Sequence, residues 1–249
     1  MLKEERHTFI LDKLNKYHKV LSSELSHELN VSEDTIRRDL KELSDSGHLK
    51  KVHGGAMLNT LNPFNYKERE VYAHDNKLKI AEKAQNIIKD GQVVIMDGGT
   101  TNLEFARSLP KELNAVIFTN SLPIAVELTN HPNISVMFLG GKVLKTAQVT
   151  IGIDIINALT HIRADICILG TRSLDLENGL TEIDWEEAQV KRTIIDASNK
   201  IVCLAISEKI NTGNPFLVCN LSQINMIVTE LETNHELLQP YVQAGIEVL

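Results

Sequence analysis

The sequence predicts an α/β fold: an N-terminal winged helix-turn-helix followed by a Rossmann-like domain built on a parallel sheet. Three observations predict it. Between Ser22 and Ser46 two apolar helical stripes are separated by a tight turn, and two short extended pieces follow. From Leu78 onward, continuous Val/Ile runs alternate with helical stretches, the pattern of strands covered on both faces. The chain has 249 residues, long for one core and comfortable for a small domain plus a larger one.

Taken in order, residues 3–17 read as a first helix, with Phe9 or Ile10, Leu11 and Leu14 available for an inward face. Residues 22–29 read as a short capped helix with Leu25 and Leu29 inward, and Asn30-Val31 as the turn leaving it. Ser32 is an N-cap, since its hydroxyl can accept from an unpaired amide of the first turn. The helix it opens runs to about Ser46 and stops at Gly47. Ile36, Leu40 and Leu43 fall at i, i+4 and i+7, while Asp34, Arg38 and Lys41 project oppositely with Arg37 on the flank. In such a motif the second helix enters the DNA major groove and its first residues meet base edges, here Ser32, Glu33, Asp34, Thr35 and Arg38. Arg38 suits base reading because a guanidinium bonds guanine bidentately. Residues 47–56 supply the two extended pieces, with Lys50, Lys51 and His53 as a wing would.

The net charge of −7 argues mildly against nucleic acid until it is resolved by region. Residues 1–56 carry ten Lys or Arg and ten Asp or Glu, so the remainder holds the whole excess. A sorted local patch, not bulk charge, must therefore attract phosphate. Five of the nine His lie in this region, and all but His53 read as ordinary surface residues. No apolar run is long enough to span a bilayer and no leader resembles a signal peptide, so a cytoplasmic, membrane-free location is expected. Cys167, Cys203 and Cys219 sit among apolar neighbours without metal-ligand spacing. Buried free thiols are expected, with no disulfide, zinc or cofactor.

Val31-Ser32, Thr35-Ile36-Arg37-Arg38-Asp39-Leu40, Gly47 and His53-Gly54-Gly55-Ala56 together resemble the winged helix-turn-helix signature of the DeoR family of bacterial transcription regulators. The resemblance implies operator double-stranded DNA as a partner of these positions. A single head of this size buries little DNA, so a homo-oligomer, dimer or tetramer, is expected. The head then covers 1–57. Residues 58–76 lose regular periodicity, carry Asn62-Pro63 and alternate in sign at Lys67-Glu68-Arg69-Glu70, which reads as a linker. The larger domain covers 77–249.

That domain opens with a helix from Leu78 whose Ile80, Ala84, Ile87 and Ile88 line one side and which stops at Asp90-Gly91. Strands read at 93–96, 115–118, 135–139, 165–169, 200–204 and 225–228. Ligands of parallel sheets bind at the carboxyl ends of the strands. After the first strand, Asp97-Gly98-Gly99-Thr100-Thr101-Asn102 opens a helix, an outline of a phosphate cradle in which amides and Thr hydroxyls face an anion. Asn120 and Ser121, then Gly140, Gly141 and Lys142, then Arg172 end three others, and Lys209 follows a fourth. Each alone is ordinary turn chemistry. Together they favour a ligand site.

These pieces are similar to the DeoR effector domain, which resembles the sugar-phosphate isomerase and CoA-transferase type of fold. The matches are Asp97 with Gly99-Thr100-Thr101, Thr119-Asn120-Ser121, Gly140-Gly141, Gly179-Leu180-Thr181 and the helix with Glu187-Ala188 and Lys191-Arg192. The resemblance implies a repressor of a carbohydrate operon, released by a phosphorylated sugar bound among Asp97, Gly98, Gly99, Thr100, Thr101, Asn120, Ser121, Gly140, Gly141, Lys142, Arg172, Glu187 and Lys209. One departure is visible. Where the family commonly has Asp-x-Ser-Lys, this chain has Ile206-Ser207-Glu208-Lys209, keeping the Lys and losing the Asp.

The competing reading is an isomerase with a fused head, its base drawn from Asp97, Glu182, Asp184 and Glu187. Carboxylates near strand ends more often bind hydroxyls or cap helices, and a DNA-binding head is an odd companion for catalysis. No catalytic or metal-ligating residue is therefore assigned. An RNA-binding role lacks stacking aromatics and broad basic charge. Trp185, the only Trp, reads as an anchor for the helix it begins.

Overall fold

Ile36, Leu40 and Leu43, one stripe of a single helix, form the floor on which the head is assembled. In the computed structural model, which describes residues 2–17, 19–46, 48–58 and 66–249, the chain divides into two units, Met1–Pro63 and Phe64–Leu249. The first contains α1 (Lys3–Tyr17), β1 (Lys19–Leu21), α2 (Ser22–Leu29), α3 (Glu33–Asp45), β2 (Leu49–Val52) and β3 (Gly55–Leu58). The α3 stripe packs with Ile10, Leu14, Val20, Leu25, Leu29, Leu49 and Ala56. Of the two candidates at the start of α1, Ile10 is buried and Phe9 faces outward.

Local chemistry sets the elements. Asn30 leaves α2 at φ 51°, a left-handed conformation that Asn tolerates, and Ser32 Oγ accepts from Thr35 N at 3.2 Å to start α3. The sheet order is β1-β3-β2, antiparallel throughout. At Gly55 a Cβ would stand 2.0 Å from the Val20 carbonyl oxygen, so glycine is what lets β3 approach β1. Gly47 and Asn62-Pro63 lie outside the described residues.

One charged residue of α3 points inward. Asp39 is 2 % exposed and receives a two-pronged bond from Arg6, Nε to Oδ2 at 2.8 Å and Nη2 to Oδ1 at 3.0 Å, with His7 Nε2 3.3 Å from Oδ1. A fork-to-fork pair fixes orientation as well as distance. It holds α3 against α1.

The second unit begins with α4 (Tyr66–Val71) and α5 (His74–Ala84). Here the linker reading is corrected. Tyr66 is 2 % exposed and joins a core with Ile80, Ala84, Phe105 and Leu109, so residues 66–76 belong to the folded domain. Lys77 is also buried, its ammonium capping the carbonyls of Arg69 and Tyr72 at the end of α4. The helix predicted from Leu78 to Asp90 is α5. It starts earlier and ends at Ala84, although Ile88 beyond it is still buried.

The chain continues through β4 (Val93–Met96), α6 (Thr100–Ser108), β5 (Ala115–Thr119), α7 (Leu122–Leu128) and β6 (Ile134–Phe138). A hairpin of β7 (Lys142–Leu144) and β8 (Val149–Ile151) precedes α8 (Ile153–Leu159), β9 (Ala164–Gly170), β10 (Ser173–Asp175) and β11 (Gly179–Glu182). Then come α9 (Trp185–Asp196), β12 (Ser198–Leu204), β13 (Phe216–Cys219), β14 (Met226–Val228), α10 (Gln239–Gln243) and β15 (Glu247–Val248). The main sheet is β15-β14-β12-β9-β4-β5-β6, parallel at every pairing. Alternate residues feed two cores, Ile95, Cys167, Leu169 and Cys203 on one face and Val94, Met96, Ile168 and Leu204 on the other. A smaller antiparallel sheet, β10-β11-β13, packs beside it.

The three cysteines are free and buried in one of these cores. Burial pushes the Cys167 thiol up to about 12 and the Cys219 thiol to about 11, which keeps them unreactive. Among the described residues no helix is long and apolar enough to cross a membrane.

The Arg6–Asp39 fork carries a testable consequence. Asp39→Ala removes the buried carboxylate that receives both prongs of the fork and should cost the head about 3 kcal/mol, read by urea unfolding followed by circular dichroism. A loss below about 0.5 kcal/mol, the size of an ordinary surface change, would show that the fork does not hold α3.

Candidate functional site

Parallel pairing of β5, β4, β9 and β12 brings their carboxyl ends to one edge, where Asp97 follows β4 and Gly170 ends β9. At the centre is Lys191 of α9, 3 % exposed. Its ammonium donates to the Gly170 carbonyl at 2.6 Å, contacts Glu182 at the end of β11, and stands 3.4 Å from Asp97 Oδ2 and 3.6 Å from Glu187 Oε1. Asp97 Oδ2 also accepts from Gly170 N at 3.1 Å. Three carboxylates around one ammonium cannot all ionise easily away from water. Burial raises Asp97 and, with the charges of Glu182 and Asp97 added, pushes Glu187 up to about 7. Burial alone would lower Lys191, but the surrounding carboxylates hold it above its ordinary value.

The loop after β4 is shaped by packing. A Cβ on Gly98 would lie 2.2 Å from Val149 Cγ1, and one on Gly170 would lie 2.1 Å from the Gly98 carbonyl oxygen. Gly99, at φ 124°, is the N-cap of α6 and offers no side-chain cap. Thr100 and Thr101 are buried, and their hydroxyls make no hydrogen bond among the described residues. Asn102 Nδ2 ties this loop to the carbonyls of Asp97 at 2.8 Å and Ile168 at 3.2 Å. Several buried polar atoms at this edge have no protein partner: Asp97 Oδ1, Asn102 Oδ1, Asn120 Oδ1 and Thr171 Oγ1. Such atoms normally find one.

Beside the carboxylates lies a group of cations. Lys209 donates to the Thr171 carbonyl at 2.7 Å, Arg172 is half-buried at the end of β9, and Arg69 of α4 donates to the Thr146 carbonyl at 2.9 Å. Among the described residues, none of the three has a carboxylate within ion-pair distance. Burial, then the charges of Arg172, Arg69 and Lys191, push Lys209 down to about 7, and burial with Arg69 lowers Arg172.

In the head, Ser32 and Thr35 share a hydroxyl contact at 2.9 Å at the start of α3. Arg37 is drawn to Glu33 and Asp34, both at 3.3 Å, and Lys51 donates to the Arg37 carbonyl at 3.2 Å. Arg38 and Lys41 are exposed with no side-chain partner among the described residues, and His53 of the wing turn is exposed. Lys50 lies in β2.

Two family models match this chain, the DeoR-like helix-turn-helix domain over residues 6–61 and the DeoR C terminal sensor domain over residues 72–231. The chain belongs to the DeoR family. It is 33% identical to the HTH-type transcriptional regulator GolR of Listeria innocua over 98% of this chain and 97% of that protein. It is 30% identical to the HTH-type transcriptional repressor GlcR of Bacillus subtilis, covering 100% of this chain and 96% of the relative. Among solved structures, ribose 5-phosphate isomerase A of Methanocaldococcus jannaschii is a partial likeness, 20% identical with TM-score 0.40 over 55% of this chain and 54% of that one. The protein is a DNA-binding transcription regulator with a sensor domain.

In this DeoR protein the structure brings Asp97 and Glu187 together at Lys191, with the Gly98 loop against Gly170 and Lys209 on the neighbouring Thr171. Other expected positions have different neighbours. Lys142 pairs with Glu186 at 2.6 Å on the surface, and Gly140 and Gly141 are exposed. Ser121 Oγ faces Ile124 N at 3.5 Å as the cap of α7, and Asn120 Nδ2 binds the Thr150 carbonyl at 3.2 Å. Lys191, although on the matched helix, and Thr171 and Arg69 are not among the ligand positions expected from the sequence. Lys191 was findable, since it stands four residues after Glu187 on the same helical face. Nothing in the sequence around Arg69 signals its place. The departure at position 206 also has an answer. Ile206 is buried in the core, and Glu230 supplies a carboxylate to the turn, accepting from Ser207 N at 3.0 Å and Ser207 Oγ at 2.5 Å. Trp185 is half-exposed, edge-on to Phe216 and beneath Arg192.

Two residues of the edge should titrate in opposite senses. Glu187 is raised from 4.5 to about 7, so its stabilisation is full below 4.5 and lost as pH rises through about 7. Lys209 is lowered from 10.5 to about 7, so its contribution is full above 10.5 and lost as pH falls through about 7. Glu187→Gln should therefore gain melting temperature over the parent as pH rises from about 5 to about 8. Lys209→Met should gain as pH falls from about 10 to about 7. Parent and variant curves that stay parallel would contradict both environments.

Proposed function

We propose that this regulator is a repressor that grips operator DNA through its head and lets go when a phosphorylated sugar binds at the strand ends of the sensor. The observation that carries the reading is the pairing of two unlike neighbourhoods. Among the described residues, Arg69, Arg172 and Lys209 have no carboxylate within ion-pair distance, and they stand at one edge with the uncapped start of α6. Beside them are Asp97 and Asn102 oxygens that lack donors. A sugar phosphate has a dianion for the first and hydroxyls for the second. That GlcR of Bacillus subtilis is named a repressor supports the direction of the response.

In this reading Thr100, Thr101 and the α6 amides hold phosphate with Arg172 and Lys209, while Asp97, Asn120 and Glu187 face the sugar. Gly98, Gly99, Gly140, Gly141 and Ser121 shape the loops, and Lys142 guards the rim. Ser32, Glu33, Asp34, Thr35 and Arg38 face base edges, with Arg37, Lys41, Lys50, Lys51 and His53 toward the DNA backbone. We assign 1–57 to the DNA-binding head and the second unit to sensing, and place the protein in the cytoplasm. Catalysis is disfavoured because Glu182, Glu187 and Asp97 are all turned onto Lys191, whereas a base must reach a substrate proton. Half-site reading requires two heads, so the working form is a homo-oligomer, which sedimentation reads directly.

A thermal-shift screen of phosphorylated and unphosphorylated sugars identifies the effector, since a ligand of the native state raises the melting temperature. With it in hand, operator affinity is measured by fluorescence anisotropy. Arg38→Ala should cost about 1–3 kcal/mol and relax base preference at one position. Thr100→Val should abolish the ratio between effector-free and effector-bound operator affinity. Stabilisation by unphosphorylated sugars alone, or an unchanged ratio in Thr100→Val, would sink the sensing half of the proposal.

A further inference from the structure

Arg69 is the one cation of the strand-end group that comes from the segment joining sensor to head. It lies on α4, which starts at Tyr66, three positions after Pro63, where the two units divide. Its guanidinium is placed by three features. Nη2 donates to the Thr146 carbonyl at 2.9 Å, the group lies 5.6 Å over the Tyr66 ring, and Nε is buried without a partner. From there its charge acts on Arg172, Lys209 and Glu187.

The other end of α4 is tied to the same neighbourhood. Lys77 holds the carbonyls of Arg69 and Tyr72, and the Tyr72 hydroxyl contacts Glu208, in the turn Ser207–Lys209 that carries Lys209. Lys67 and Glu68 on the same helix are exposed. Of the described residues of α4, Arg69 is thus the one whose charge is felt among the strand-end cations.

We propose that Arg69 is an anion ligand of the sensor, and that through it the bound phosphate acts on α4 and hence on the segment leading to the DNA-binding head. The inference rests on the reading of the strand ends as an effector site. Its physical basis is a change of sign. Without an anion, Arg69 and Arg172 repel one another across a partly dry edge and disfavour the charged form of Lys209, and Arg69 is retained by one carbonyl and one ring. An anion between them turns that repulsion into attraction, so the free energy of holding α4 at the sensor differs between the two states. A ligand moves an equilibrium only by such a difference. Contacts made solely by Thr100 stabilise the sensor without involving any side chain of α4.

The test uses the full chain with inorganic phosphate as probe. Phosphate binding is measured by calorimetry, and operator affinity with and without saturating phosphate by anisotropy, for the parent, Arg69→Gln, Arg69→Lys and the exposed control Lys67→Gln. Arg69→Gln should weaken phosphate binding about tenfold, the worth of one charged hydrogen bond, and abolish the effect of phosphate on operator affinity. Arg69→Lys should restore part of both, which loss of packing on Tyr66 would not allow, and Lys67→Gln should match the parent. Parent-like phosphate binding in Arg69→Gln would overturn the ligand role. Weakened binding with parent-like release at saturation would overturn the transmission role. Parent protein that binds no phosphate defeats the effector-site reading itself and this inference with it, whereas release by both parent and Arg69→Gln defeats the inference alone.

Discussion

Taking an ammonium out of water costs several kcal/mol unless oxygens replace its hydration, and at Lys191 the replacements come from four different elements. Asp97 ends β4, the Gly170 carbonyl ends β9, Glu182 ends β11, and Glu187 is one turn back on α9. The position of each strand end therefore depends on one side chain. The same arrangement decides the charge pattern of the whole edge. Asp97, Glu182 and Glu187 all turn to Lys191, and among the described residues Arg69, Arg172 and Lys209 have no carboxylate within ion-pair distance. A cluster with its acids gathered at one cation and its remaining cations set apart is what the proposed reading takes as the place for an anion with polar groups attached.

The glycines of this edge divide by physical role. Gly98 is required by the Val149 side chain and Gly170 by the Gly98 carbonyl, so both serve packing between strand ends. Gly99 is required by its backbone conformation at the start of α6. The Gly98-Gly99 pair thus has two separate causes: one residue lets two loops meet, and the other turns the chain into the start of α6.

Much of this architecture is legible in residues alone because the signals are periodic. The α3 stripe of Ile36, Leu40 and Leu43, the Ser32 cap and the six long Val/Ile runs each carry a period or a cap whose physics is local. Elements without a period were missed. β1 has three residues and β15 two, and both exist only because a partner strand is already in place. The segment 66–76 looks like a linker because its charges alternate, yet Tyr66 is buried in a core with Phe105 and Leu109, which lie far along the chain. The site divides the same way. Asp97, Thr100 and Lys209 stand beside recognisable strand ends, whereas Arg69 reaches the edge by folding across to Thr146, a contact spanning 77 positions. Surface pairing is equally nonlocal, as Lys142 with Glu186 illustrates.

The central claim is that this edge recognises the phosphate of a phosphorylated sugar. Calorimetry of one sugar with and without its phosphate, repeated in buffers of different ionisation enthalpy near pH 8, tests it most directly. Lys209, held down to about 7 by its neighbours, should regain its proton when a dianion arrives. The account predicts binding of the phosphorylated form alone, with net proton uptake of order one-half or more per site. Equal binding of both forms, or binding of the phosphorylated form with no proton uptake in any buffer, would contradict it.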